Sequence, residues 1–342
     1  MVHTTPPRPV DLAEVFPELA PLARTVTRLH PRPGTPTVRD SSVGGPLLWP
    51  ADEPWPLCDD DHDDDGHIRL VPLADLRLAR ARSLPKSTTV ATYRQMQGVR
   101  IYSDDEWAAI ERLEQGVGLP AGPVPMLPVA QLYARDVPDL HPPADADLLQ
   151  VLWCPFENIS AMPETELIWR NSAEVTDPLR RPPEPLVLHA DENYLPVPCT
   201  VDPEQVLEYP SANELDGELF DQVEDWTLHQ IPEVSIGRLR PNDRPYHNLA
   251  IAPGWKIGGG IRWGLDGPSP QPCRVCGTET EPLLTLATYE WGDEHWVPVE
   301  DRDGSPYNAA RNPVGIRIGR GHNMIINICP ASPDHPHVQL MQ

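Results

Sequence analysis

Two rhythms of apolar and polar residues run along this chain, and each predicts its own kind of element. In residues 103–116, SDDEWAAIERLEQG, Trp107, Ile110 and Leu113 recur at helical spacing while Glu111 and Glu114 turn the other way. Ser103 stands at the N-cap with Glu106 three residues on, the spacing of a capping box, and Gly116 supplies the stop. That stripe reads as core and not as a cofactor site. Leu215, Leu219, Val223 and Trp226 repeat the helical spacing, and this second helix should end near Pro232. Asp11 and Glu14 open a first helix over 11–24 that Pro17 and Pro21 kink or break. Asp202-Pro203 ahead of Glu204 and Gln205 reads as a further helix start, with proline at the first helical position.

Elsewhere the apolar residues fall in short runs. Residues 124–133, 147–153 and 167–170 read as strands, with a shorter one over 186–189. The run LLQVLW from Leu148 suits a strand buried on both faces.

A pattern in the chain occurs twice. GGPLLWPADEPWP from Gly44 matches GGGIRWGLDGPSP from Gly258 as GG-x3-W-x2-D-x-P-x-P. The pattern aligns Trp49 with Trp263 and Asp52 with Asp266. LVPLADL from Leu70 echoes LLTLATY from Leu283, and LLQVLWCP from Leu148 echoes NMIINICP from Asn323, in the same order. An internal duplication of one α/β unit follows, with two half-domains facing each other around a shared core. The expected organisation is a helix and connector over 1–40, a first repeat over 41–157, a linking insertion over 158–257 and a second repeat over 258–342.

Composition narrows the class. The 45 prolines and 22 glycines lie among tryptophans and β-branched residues, so they read as rigid turns between short strands. No run approaches the roughly 18 apolar residues of a membrane span, and the N-terminus lacks a basic region followed by an apolar run. A soluble, cytoplasmic protein is expected. The six cysteines then read as thiols or metal ligands and not as a disulfide framework. Against 27 basic residues stand 51 acidic ones, a net charge of −24, which makes nucleic acid and anionic membrane poor partners. A basic protein partner fits the charge, although solubility alone is the plainer account.

Candidate chemistry is sparse. Asp61, Asp63, Asp65 and Gly66 open like an EF-hand loop, but the closing position is Pro72, so DDDHDDDGH from Asp59 reads as an acidic hairpin tip. Cys273 and Cys276, followed by Gly277, have the spacing of a zinc knuckle, which is half of a tetrahedral site. Cys329 is the candidate third ligand, and His322, His335 or His337 the fourth, with His322 taken as the working choice. Buried, unliganded thiols are the simpler reading, and a redox pair is a third. No GxSxG, HExxH or glycine-rich phosphate loop is present, so no catalytic residue is assigned. Asp52 and Asp266 could pair across a cleft between the repeats, with Trp49 and Trp263 lining it; turn capping and core packing are the plainer roles.

SSVGGPLLWPADEPWPLC from Ser41, DLLQVLWCPFE from Asp147, ETELIWR from Glu164, CTVDPEQVLEYP from Cys199, and the KIGGGIRW, CRVCG and LLTLATYEW blocks between Lys256 and Trp291 together resemble the actinobacterial branch of the YwqG-like family of bacterial proteins. The resemblance spans most of the chain between Ser41 and Pro330 and implies an α+β fold with an internal duplication. It also implies an immunity role beside toxin systems and carries no catalytic residues. At Ser332 this chain lacks the cysteine that would complete a second CxxC-like pair with Cys329. The reading that follows is a non-enzymatic α+β protein of two mixed or antiparallel half-domains that binds a protein, such as a basic toxin. A zinc- or small-ligand-binding protein, or a hydrolase of unrecognised type, is the alternative.

Overall fold

The computed structural model describes residues 3–59, 69–118, 122–158, 162–191, 193–230, 245–292, 294–302 and 307–342. Within them the early strands are β1 (Arg24–Arg28), β2 (Arg32–Pro33), β3 (Ser42–Val43), β4 (Leu57–Cys58) and β5 (Leu70–Pro72). The middle strands are β6 (Val124–Pro125), β7 (Leu127–Tyr133), β8 (Leu148–Glu157), β9 (Pro163–Arg170), β10 (Val187–His189), β11 (Cys199–Thr200) and β12 (Glu204–Glu208). Last come β13 (Lys256–Ile257), β14 (Glu281–Ala287), β15 (Asn323–Ile328) and β16 (Val338–Met341).

These strands build two six-stranded antiparallel sheets, in the orders β2-β11-β3-β7-β8-β9 and β12-β1-β13-β14-β15-β16. Strands from the first forty residues and from 158–257 enter both sheets: β1, β12 and β13 belong to the second, and β2, β9 and β11 to the first. The sheets share one apolar cluster, in which Leu127, Val151 and Trp153 of the first meet Leu284, Leu286 and Ile326 of the second. Nine of ten residues in β8 are buried, as its mostly apolar run predicts, with Gln150 buried among them and donating to Leu48 O and Gln131 Oε1.

Helices are few. The early helices are α1 (Leu12–Val15), α2 (Leu73–Arg82), α3 (Thr88–Met96) and α4 (Asp104–Gln115); Ser103 and Glu106 cap α4 reciprocally, as predicted, and Asp11 caps α1 by accepting from Ala13 N and Glu14 N. The first helix is cut to α1 and a 3-10 turn over Pro17–Leu22, as its prolines dictate. α5 (Gly217–His229) buries Val223 and Thr227 and exposes Glu218, Asp221 and Asp225. α6 (Pro245–Ala250) follows it.

Two expectations fail. Residues 204–208 form the strand β12 and not a helix, because they pair with β1 from Arg24↔Glu208 to Arg28↔Glu204, and this ladder overrides the local Asp-Pro-Glu signal. LVPLADL runs from β5 into α2 while LLTLATY begins within the strand β14 and runs just past its end, so those two segments differ in structure. The acidic EF-hand-like stretch lies, apart from exposed Asp59, outside the described residues.

Candidate metal centre

Two neighbouring strands place the site. β14 and β15 pair with Glu281 opposite Ile328, so the residue after β15, Cys329, emerges beside the segment that leads into β14. That segment is a tight hairpin closed by the Pro272↔Glu279 bridge and by Thr280 N donating to Gln271 O at 3.0 Å. Within it Cys273 N donates to Thr278 O and Gly277 N to Cys273 O, both at 2.8 Å. Gly277 sits at φ +74°, a conformation that a side chain would strain, and so lets Cys276 turn back toward Cys273.

The fourth group comes from the loop between β15 and β16. Ser332 folds it: its hydroxyl accepts from Asp334 N and its carbonyl from His335 N, each at 3.3 Å. The imidazole of His335 is thereby carried back over the cysteines. His335 Nδ1 lies 3.5 Å from Cys273 Sγ and 3.3 Å from Cys329 Sγ, and Cys276 Sγ lies 3.5 Å from Cys329 Sγ. All four donor atoms fall within 4.8 Å of one another. Tetrahedral zinc, with bonds of about 2.3 Å to sulfur and about 2.0 Å to nitrogen, places its ligand atoms about 3.5–3.8 Å apart. The donor set, three sulfurs and one imidazole, is also one that zinc takes in structural sites.

Electrostatics differ across the cluster. Cys273 and Cys329 are buried, whereas Cys276 is exposed. Hydrogen bonding from the Thr278 side chain and backbone holds the Cys276 thiol down at about 6, while burial pushes that of Cys329 up. Thiolate charge therefore resides first on Cys276, the form a metal needs.

The fourth ligand is where the working choice from sequence requires correction. His322 precedes β15 and Cys329 follows it, which separates them by the length of a strand of about 3.3 Å per residue. His322 N donates to Ile318 O, and its carbonyl accepts from Thr288 Oγ1 at 2.7 Å. His337 is also engaged elsewhere, with Nε2 at 2.7 Å from Thr165 Oγ1 on β9. A histidine six residues past Cys329, in a loop punctuated by Pro330, Pro333 and Pro336, was the available signal for His335.

Nor do the paired tryptophans and aspartates form one cleft. Trp49 is packed with Trp55 and Cys154 beside the first sheet, its Nε1 donating to Glu53 O at 3.1 Å and the Arg170 guanidinium 4.9 Å from its ring. Trp263 packs with Ile261 and Ile325 on the second sheet and donates from Nε1 to Glu214 Oε1 at 3.0 Å. Asp52 and Asp266 are exposed beside their own tryptophans. The remaining cysteines are core residues: Cys58 and Cys154 lie in the Trp49 cluster, and burial pushes the Cys199 thiol up to about 12.

Sequence reasoning missed a buried ionic cluster. His30 is fully buried, with Nε2 at 3.1 Å from Glu204 Oε2 and Nδ1 at 3.4 Å from Glu290 Oε2. Arg28 reaches the Glu290 carbonyl at 3.1 Å, and Arg32 pairs with Asp301. The alternation RTVTRLHPR from Arg24 was the only trace of it.

Neither the comparison with protein-family models nor that with curated proteins returned a match for this chain.

Proposed function

We propose that this chain is a structural zinc protein that works by binding another protein. The observation behind the metal half is the convergence of Cys273, Cys276, Cys329 and His335 within 4.8 Å. Four protein ligands fill a tetrahedral shell and leave no position for water or substrate, which suits a structural ion. When bound, zinc supplies a cross-link. The knuckle ahead of β14 and Ser332-folded loop after β15 would then hold one another in place at the end of the second sheet.

The test is the metal content of protein purified without chelator. One zinc per chain, lost in Cys273→Ser, is the expected result. Metal-free protein from zinc-supplied cells would overturn the reading.

The partner half rests on charge. With a net charge of −24, the chain exposes Glu218, Asp221 and Asp225 along one side of α5, and Asp216 at its N-cap. Such a face suits a basic protein, in keeping with the immunity or inhibitor role that the YwqG-like resemblance implies. Association with a basic toxin should slow at least tenfold between about 0.05 M and about 0.5 M salt. A salt-independent rate would remove the charge argument.

We also read the two sheets as copies of one unit. Gly44 at φ +63° donates to Val129 O at 2.8 Å, and Gly258 at φ +73° donates to Leu283 O at 2.9 Å. In each copy the tryptophan N–H returns two residues, Trp49 to Leu47 and Trp263 to Ile261, and β8 and β15 hold the same place in strand order. This is the support for an internally duplicated, YwqG-like α+β fold.

A further inference from the structure

β9 stands last in the strand order of the first sheet, so it pairs with β8 on one side only. Two hydrogen bonds fix which groups its other side presents. Arg170 O accepts from Asp147 N at 3.0 Å, on the side of β8, whereas Pro163 O accepts from Gln339 Nε2 at 3.0 Å, on the side away from it. Main-chain groups alternate along a strand, so the even-numbered residues of β9 face β8 while Pro163, Thr165, Leu167 and Trp169 turn theirs outward. Thr165 is buried, its hydroxyl bonded to His337 and Gln339. No described residue hydrogen-bonds the outward main-chain groups of Leu167 or Trp169, which are half-buried.

A cavity of about 530 Å³ runs along this edge. Glu164 and Glu166 line it from one face of β9 and Leu167 and Trp169 from the other, and only a cavity at the rim of the sheet meets both. Leu167 and Trp169 pack against the apolar cluster that the two sheets share, whereas Glu164 and Glu166 occupy the alternate, outward positions. The opposite wall is the loop over 333–337 that carries His335.

Charge selects the occupant. Glu164, Glu166 and Asp334 line the cavity against one arginine, Arg274. Partial burial, and then the charge of Glu164, push the Glu166 carboxyl up, so a cation brought alongside is stabilising. A second copy of β9 laid on this edge would set its own glutamates beside Glu164 and Glu166, and like charges on facing strands repel. Glutamates on one face, with Leu167, Trp169 and Ile328 toward the other, instead match a strand that alternates cations with apolar residues.

We propose that an extended segment of a basic partner protein adds to the free edge of β9 as a further strand, its main chain pairing with Leu167 and Trp169 and its alternate lysine or arginine side chains facing Glu164 and Glu166. The main-chain bonds supply affinity and the alternating side chains supply selection. This inference rests on the protein-binding half of the function proposed above and gives that partner its docking edge.

The test titrates the full chain, at about 0.05 M salt, with a labelled peptide of about six residues that alternates lysine and valine, read by fluorescence anisotropy and by amide hydrogen exchange. Saturable binding that slows exchange at the Leu167 and Trp169 amides is expected. Methylating the peptide nitrogens that face β9, or Glu166→Lys in the protein, should each weaken it at least tenfold, and a peptide alternating glutamate and valine should not bind. Absence of binding by the lysine peptide, unchanged exchange at both amides, or undiminished affinity in folded Glu166→Lys would each overturn the proposal. A basic toxin that binds parent and Glu166→Lys equally well would keep the protein-binding reading and overturn this edge as its site. Peptide capture here without association of any basic toxin would keep the edge and remove only the toxin.

Discussion

Lys256 Nζ lies 2.5 Å from Glu208 Oε1, and both side chains are 2% exposed. One of only two lysines in the chain is thus sealed inside the second sheet, with β12 contributing the carboxylate and β13 the ammonium on either side of β1. The carboxylate is held further by Ala252 N at 2.9 Å and Gly260 N at 2.8 Å, and the ammonium by Gly260 O at 3.0 Å. Burial lowers the lysine pKa, and Glu208 opposes that shift.

Breaking this pair from one side leaves a charge in the core. Lys256→Met is expected to cost about 3–5 kcal/mol in denaturant unfolding, and adding Glu208→Gln should recover at least half of it. A single-variant cost below about 1 kcal/mol would show that the pair is not sealed from water as described.

The glycines after Lys256 differ in what they tolerate. A Cβ at Gly259, φ +82°, would stand 2.4 Å from Glu208 Oε2 and 2.6 Å from Val26 Cγ1, whereas one at Gly258, φ +73°, meets nothing within 4 Å. Gly259→Ala should therefore destabilise by several kcal/mol and Gly258→Ala by about 1 kcal/mol, from backbone strain alone. Equal thermal midpoints for the two variants would contradict this.

At the metal centre, His335→Ala should lose the bound zinc and lower the thermal midpoint by about 5 °C or more, while His322→Ala should keep the ion. Elemental analysis of both variants decides it. Zinc retained in His335→Ala and lost in His322→Ala would reverse the ligand assignment.

Acid should find the His30 cluster. Burial alone would raise the Glu290 carboxyl, but contact with His30 and the charges of His30, Arg28 and Arg32 bring it below its ordinary value; Glu204 is likewise lowered despite burial, through His30 and Thr5. With folded values depressed, the stabilisation is complete above the unfolded carboxylate pKa of about 4.3 and is lost as pH falls through the folded values. The urea midpoint should hold from neutral pH to about 5 and fall below about 4, with a shallower acid decline in Glu290→Gln. An acid limb in that variant parallel to the parent's would rule the cluster out.

Elements that carry their own signal were legible in the chain. The capping box at Ser103 and Glu106 needs only local backbone, and β8 needs only an apolar run long enough to be covered on both sides. The Cys273 and Cys276 knuckle was equally visible, since its spacing and the glycine after it define a turn whatever surrounds them. By contrast Glu204 to Glu208 reads as a helix start until β1 is laid beside it, and the identity of the fourth ligand depends on a loop path that no spacing rule encodes.

From its sequence alone this protein had its acidic surface, its proline-cut first helix, its buried strands and three of its four candidate metal ligands, because each follows from residue chemistry within a few positions. Only the tertiary structure chose His335 over His322, parted Trp49 from Trp263, and buried Lys256 against Glu208. Those outcomes depend on strands far apart in sequence becoming neighbours, and the hydrogen-bond ladders that join them are made by backbone groups that every residue shares.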